Sequence, residues 1–353
     1  VFSLRLGFPD EGTLQDSRTE RRAYDLVADA FGPGLNGPLV IAVDLSAASG
    51  SPSVALDGLV SAVAADPGIA AVAEPEVNAE AGVAVVVAFP TTAPQADATY
   101  ETVQRLRSDV FPVALAGSGL HAHVGGQTAN FGDVASRVSE RLPLFIVAVV
   151  VLSFLLLMVV FRSVLVPLKA AVLNLLSIGA AYGVLVMVFQ WGWGKGLIGL
   201  ETTVPVVSFI PMFMFAVLFG LSMDYEVFLL SRVREDYVAT GDNHHAVVSG
   251  LAGTARVITS AALIMISVFA AFVMGNDPAV KMLGLGLATA ILVDATIVRC
   301  VLVPATMTLM GKANWWLPAW LDRRLPHIDL DGEGVGSGSG AAPVLPVAVA
   351  VGD

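Results

Sequence analysis

The chain has 353 residues, of which 56% are hydrophobic and only 14% charged. That is too apolar for two or three soluble domains of this total length and points to a membrane protein. The net charge of −11 comes mainly from residues 1–141 and argues against a nucleic-acid partner. The single cysteine, Cys300, leaves no intrachain disulfide to form and sits in an apolar run, where packing is its expected role.

Residues 1–31 predict a strand and an amphipathic helix from Arg18 to Phe31, a connector into the first domain. Val-rich runs and helical patterns then alternate: strand 39–45, helix 53–65, strand 69–75, strand 83–89, helix 95–113 and strand 120–125. The order is βαββαβ, and two right-handed units of this kind give an antiparallel sheet with two helices on one face, a ferredoxin-like α+β arrangement. Val83, Val85 and Val87 are expected on one face of their strand, with Tyr100, Val103 and Leu106 facing the sheet from a helix. This domain is assigned to residues 1–141. No basic, apolar and small-residue leader opens the sequence, so export of the domain calls for a helix ahead of Val1 in a longer parent chain.

His121 and His123 share a strand face but have no third ligand at suitable spacing, so no metal is expected. Gly125-Gly126 lacks the GK[ST] of a phosphate cradle, and no nucleotide motif occurs elsewhere. No cofactor and no enzymatic activity are expected, and an ion gradient is the implied energy source.

Five apolar stretches follow, at 143–161, 164–190, 204–230, 257–275 and 280–303, each near the roughly 20 residues a bilayer core requires. They form an expected five-helix membrane domain over 142–310. Arg162, Lys169, Arg232, Arg234, Arg256, Arg299, Lys312, Arg323 and Arg324 fall on one side, against Lys195 and Lys281 on the other. This asymmetry predicts residues 1–141 outside the cell and the C-terminus in the cytoplasm. Trp191 and Trp193 suit the outer interface, and Trp315, Trp316 and Trp320 suit a cytoplasmic interfacial segment over 311–330. The Gly/Ser-rich residues 331–353 read as a disordered tail.

Chemistry concentrates in the third stretch. Asp224 lies about 12 Å inside the interface marked by Arg232, where an ionised group costs at least about 2 kcal/mol, so a proton-carrying role is the expected reading. The alternative is a structural carboxyl bonded to a Ser or Thr of a neighbouring span. Gly220 and Leu221 form a notch on the same face, Tyr225 adds a hydroxyl, and Pro211 and Gly220 are the expected hinge positions. Glu226, about 200° around the helix, is expected to pair with Arg232 or to reach the interface, with a proton role as the alternative. Asp294 in the last span either extends a relay or caps a polar cluster with Thr289, or with Thr259 and Ser260 of the fourth span; both readings stay open. Gly284, Gly286 and Ala288 mark close helix packing.

GLSMDYEVFLLSRVREDY, TARVITSAALIMISVF and ILVDATIVRCVLVPA, with RLGFPDEG, HVGGQTA and FRSVLVPLKAAVLNLLSIGAAYGV before them, resemble the C-terminal half of the MmpL (mycobacterial membrane protein large) family of the RND transporter superfamily. The resemblance covers nearly the whole chain. It implies a second porter domain and the last five spans of a bacterial inner-membrane exporter of lipids or hydrophobic compounds, driven by protons. It also implies that Asp224 and Tyr225 are one Asp-Tyr pair of the relay. The matching pair belongs to a first half that this sequence does not contain, so a missing N-terminal half is an expected partner beside protons, cargo and membrane lipids, and a homo-oligomer stays open. The alternative is a membrane sensor or scaffold that uses the same fold without transport.

Overall fold

A computed structural model describes residues 4–49 and 51–324; the tail expected at 331–353 lies outside the described residues. The chain opens with a two-residue strand, β1 (Leu6–Gly7), and α1 (Thr19–Phe31), none of whose residues is buried. Arg21 ties the start of α1 down by donating to Asp25 and to the Gly12 carbonyl.

A five-stranded sheet follows, with α2 (Pro52–Ala64) between β2 (Leu39–Asp44) and β3 (Ile69–Val72), then β4 (Glu76–Asn78) and β5 (Val83–Pro90). The strand expected over 69–75 ends at Val72, and a separate short strand, β4, begins only past Pro75, which has no N–H to give to a ladder. Next come α3 (Asp97–Arg105), a π-helical turn (Leu106–Val110), the short α4 (Phe111–Ala114) and β6 (His121–Gly125). Pro112 lacks the donor that regular α geometry requires, and the widened turn absorbs it. The strands order as β3-β5-β2-β6, all antiparallel, with β4 also on β5.

Alternation decides which face is covered. Leu39, Ile41 and Val43 of β2 and Ala84, Val86 and Ala88 of β5 pack against Leu59, Val63, Val103 and Leu106, all fully buried. Val83, Val85 and Val87 share the other, half-exposed face, and Tyr100 turns from the sheet toward Gly132, while Thr99 and Thr102 are buried beside Val103.

Among the described residues, five helices are long and apolar enough to cross a membrane. The first, α5 (Gln127–Phe161), runs unbroken from the sheet into its apolar zone, with Pro143 inside it. Arg162 closes it in a left-handed conformation, φ 47°, and donates to Asp322 at 2.5 Å. The second, α6 (Leu165–Leu185), ends in a π turn to Gln190. The two-residue β7 (Val206–Val207) then pairs in parallel with β1, so the third span starts at Ile210 rather than Val204.

That span, α7 (Ile210–Thr240), and the fourth, α8 (Asn243–Val273), join through Gly241 and Asp242 alone. The polar gap between the apolar stretches 204–230 and 257–275 is thus mostly helical; apolar runs report only the stretch of helix that suits a bilayer, and here both helices project past it. Gly241 takes φ 69°, which favours glycine, and Asp242 accepts from the His244 and His245 N–H groups. The fifth span is α9 (Pro278–Val293), a π-helical segment (Asp294–Leu302) and α10 (Val303–Met310), followed by α11 (Ala319–Asp322). Gly284 lets α9 approach α8 closely, since a Cβ there would lie 2.6 Å from the Phe269 carbonyl oxygen. The spans α6, α7 and α9 form the interior; α5 and α8 turn most of their side chains outward.

One partly buried ion pair fastens the helices to the sheet. Asp66 accepts from Arg105 at 2.7 and 2.8 Å and from the Gly68 N–H at 2.8 Å. The Arg105 guanidinium holds the Asp66 carboxyl below its usual range. The stabilisation is therefore intact above the ordinary carboxylate pKa of about 4 and is lost as pH falls through the depressed value. Asp66→Ala should cost about 1–3 kcal/mol, read as faster hydrogen exchange in β3, whereas Glu101→Ala on the exposed side of α3 should leave exchange unchanged.

Candidate functional site

Three consecutive residues near the middle of α7 point in three directions. Asp224 is exposed and shares its face with Phe213, Ala216, Gly220 and Phe228, a stripe at helical spacing. A Cβ on Gly220 would meet nothing within 4 Å, so this face is open. Tyr225 is half-buried and its ring lies 5.0 Å from the Arg299 guanidinium carbon. Glu226 is buried, 5% exposed, and turns into the bundle.

Inside, Arg299 joins two spans. Its Nε donates to Asp294 Oδ2 at 2.9 Å, its Nη2 lies 2.7 Å from the same oxygen, and Nη2 donates to the Ser222 carbonyl of α7 at 2.7 Å. The backbone explains the pair. In an α-helix residues five apart diverge by about 140°, but the π-helical segment brings i and i+5 into line. Pro304 favours that segment, because it has no N–H for the Cys300 carbonyl.

Lys169 and Asn174 of α6 complete the chamber, both buried. The Glu226 carboxylate feels the charges of Lys169, Arg299 and Asp294. Of these four groups, Asp294 and Arg299 form the salt bridge among the described residues, and Glu226 and Lys169 are buried near it. Among the described residues, Glu226 Oε1, Lys169 Nζ, Asn174 Nδ2 and Arg299 Nη1 have no hydrogen-bond partner, which leaves the quartet with unspent bonding capacity.

Several expectations are corrected. Glu226 does not pair with Arg232, which binds Glu235 at 2.7 Å instead. Thr259 and Ser260 are exposed on α8, and Thr259 donates to its own helix at the Ala255 carbonyl, so neither joins Asp294. Pro211 is the second residue of α7, where no intrahelical bond is lost, and no kink follows from it; its carbonyl accepts from the Tyr182 hydroxyl at 2.5 Å. The helix continues unbroken through Gly220. His121 and His123 lie exposed on β6 opposite Asp44 and Ala42.

Lys169 and Arg299 were counted among residues marking one membrane surface, yet both are interior. The available signal was their place inside the apolar stretches 164–190 and 280–303, where a cation beside an acid reads as its counter-ion.

A model of the MMPL family matches residues 19–327. The chain is 38% identical over 329 residues to membrane protein YdfJ of Bacillus subtilis, covering 93% of this chain and 45% of that protein. It is 42% identical over 321 residues to heme uptake protein MmpL11 of Mycobacterium tuberculosis, covering 90% of this chain and 33% of the relative. With the mycolic acid-containing lipids exporter MmpL11 of Mycolicibacterium smegmatis it shares 39% identity over 335 residues, 94% of this chain and 35% of the other. The chain therefore spans less than half the length of these relatives.

The Arg299–Asp294 pair yields a test of the packing argument. Arg299→Leu alone strands a buried carboxylate and should destabilise the protein by roughly 3–5 kcal/mol. Adding Asp294→Leu should recover most of that loss in thermal unfolding, a coupling that independent sites would not show.

Proposed function

The chain belongs to the MMPL family, and on that premise we propose that it supplies the C-terminal half of a proton-driven exporter of lipids or other hydrophobic compounds. The observation that carries this reading is the carboxylate of Asp224 at mid-length of a membrane-length helix, on an open face next to Tyr225 and one turn from Gly220. A lipid-facing carboxylate is costly, and a matching helix of a first half would relieve that cost by packing on the stripe. In this reading residues 1–141 are a ferredoxin-like porter domain outside the cell, a reading supported by the antiparallel order β3-β5-β2-β6 with helices on one face. Residues 142–310 are the membrane domain and 311–330 an interfacial segment on the cytoplasmic side.

The relay works by charge. Protonation neutralises Asp224 and so changes the field at Tyr225, its neighbour along α7. Tyr225 also carries Arg299 on its ring, so a shift of the ring changes how firmly Arg299 holds Asp294 and how strongly it attracts Glu226. The balance among Lys169, Glu226, Asp294 and Arg299 then favours a different packing of α6, α7 and α9. One charge crossing 100 mV supplies about 2.3 kcal/mol, enough to bias two packings that differ by a few kcal/mol. The names of the two MmpL11 relatives, one for heme and one for mycolic acid-containing lipids, support a large hydrophobic cargo.

In the full transporter, Asp224→Asn should lower uncoupler-sensitive export at least about tenfold with membrane insertion unchanged, because an amide inserts more easily but takes up no proton. Tyr225→Phe should be milder. Normal uncoupler-sensitive export by Asp224→Asn would end the relay and leave a scaffold or sensor. For orientation, an impermeant thiol reagent on intact cells should label cysteine at Asp57 and spare cysteine at Thr240, both in a Cys300→Ser background; the reverse pattern would invert the topology.

A further inference from the structure

The segment Leu4–Glu11, the turn before α3 and the first turns of α5 enclose a cavity of about 500 Å³, within the range of roughly 300–1,000 Å³ typical of small-molecule sites. One wall is aromatic: Phe8 stacks on Phe131 at 4.4 Å, and Tyr100 lies against Gly132. The charged lining is one-sided. Asp10, Glu11, Asp97 and Glu140 contribute carboxylates, whereas Arg5 is the single basic residue of the lining and is already engaged by Asp97 at 3.2 Å and the Gln95 carbonyl at 3.3 Å.

Asp10 sits deepest among these acids. It accepts from Gln95 through Oδ1, and the Tyr24 hydroxyl lies beside the carboxylate. Burial pushes its carboxyl up to about 6, against the Tyr24 hydroxyl, which opposes the shift, and with Glu11 adding to it. The cavity therefore offers acceptors in excess of donors. Ser136, Ser139 and Glu140 of α5 line it, and Leu144, Val147 and Val151 continue that helix as an exposed apolar surface.

We propose that this cavity holds the polar head of one lipid-like molecule, a head that donates hydrogen bonds through hydroxyl or ammonium groups and bears no net negative charge, with its hydrocarbon tail along α5. The proposal rests on the transport reading and names the class of cargo that reading leaves open. Hydroxyl and ammonium groups satisfy the surplus acceptors. A phosphate or sulfate head brings like charges together and is rejected.

The test uses the chain in phosphatidylcholine nanodiscs, with an environment-sensitive fluorophore on Ser139→Cys in a Cys300→Ser background. Octyl glucoside, octylamine and octyl phosphate share a tail and differ in head, so the first two arms separate a hydroxyl source from an ammonium source. At least one of these two should give a saturable response, with octyl phosphate at least about tenfold weaker. Glu11→Lys with Glu140→Lys, both exposed positions, should reverse the ranking toward phosphate, and Ser136→Trp should abolish saturable binding while the thermal melt stays unchanged. Asp224→Asn should bind normally, so loss of the proton relay and loss of this site are read separately. Phosphate binding equal to the others, responses that rise linearly with partitioning, or an unchanged ranking in the double lysine variant would overturn the proposal.

Discussion

The contact on which the membrane bundle depends is the guanidinium of Arg299. It is held by Asp294 within its own span, donates to the Ser222 carbonyl across on α7, and lies over the Tyr225 ring. A single planar cation thus answers a carboxylate, a backbone carbonyl and an aromatic face, in an interior where each left alone would be costly. Lysine, with a compact ammonium, could not meet all three at once. Register between α7 and α9 follows from this geometry, and with it the outward aim of Asp224 and the inward aim of Glu226.

Much of this was legible in the chain because bilayers impose simple rules. Five long apolar runs gave five membrane-length helices, and Asp224 stands near the middle of the third, as its place in that run implied. The valine alternation located β2 and β5, whereas the strand expected over 69–75 was drawn past Val72, where β3 ends ahead of Pro75. Other features were hidden for identifiable reasons. The Asp294–Arg299 pair depends on a π-helical segment, and any argument from the α period sends these side chains apart. Lys169 and Arg299 were misplaced because counting basic residues by side registers their type and not their depth. Glu226 was drawn toward Arg232 by proximity along one helix, although the stronger field came from two other spans. The pairing of β1 with β7 involves two residues at each end of nearly 200 positions, a length with no periodicity to detect.

That pairing ties the sheet and the bundle together at a point that favours communication. Arg5 and Gly7 carbonyls accept from the N–H groups of Val206 and Ser208, at the threshold of α7, and Phe8 sits near both Phe131 of α5 and Phe209. Gly7 has no room for a larger residue, since its Cβ would lie 2.9 Å from Pro205. The helix bearing Asp224 therefore begins where the wall of the acidic cavity ends, so that one short strand belongs to both.

The unbroken course of α5 gives the molecule a lever. Its 35 residues start at the edge of β6 and end at Arg162, with no loop in which a movement could dissipate. As a rod of about 50 Å, it turns a tilt of about 5° at the far end into a displacement of about 4 Å beside the sheet. Pro143, near mid-length, lies at the level where polar residues give way to apolar ones. Small rearrangements among buried charges are in this way enlarged to the width of a side chain before they reach the sheet.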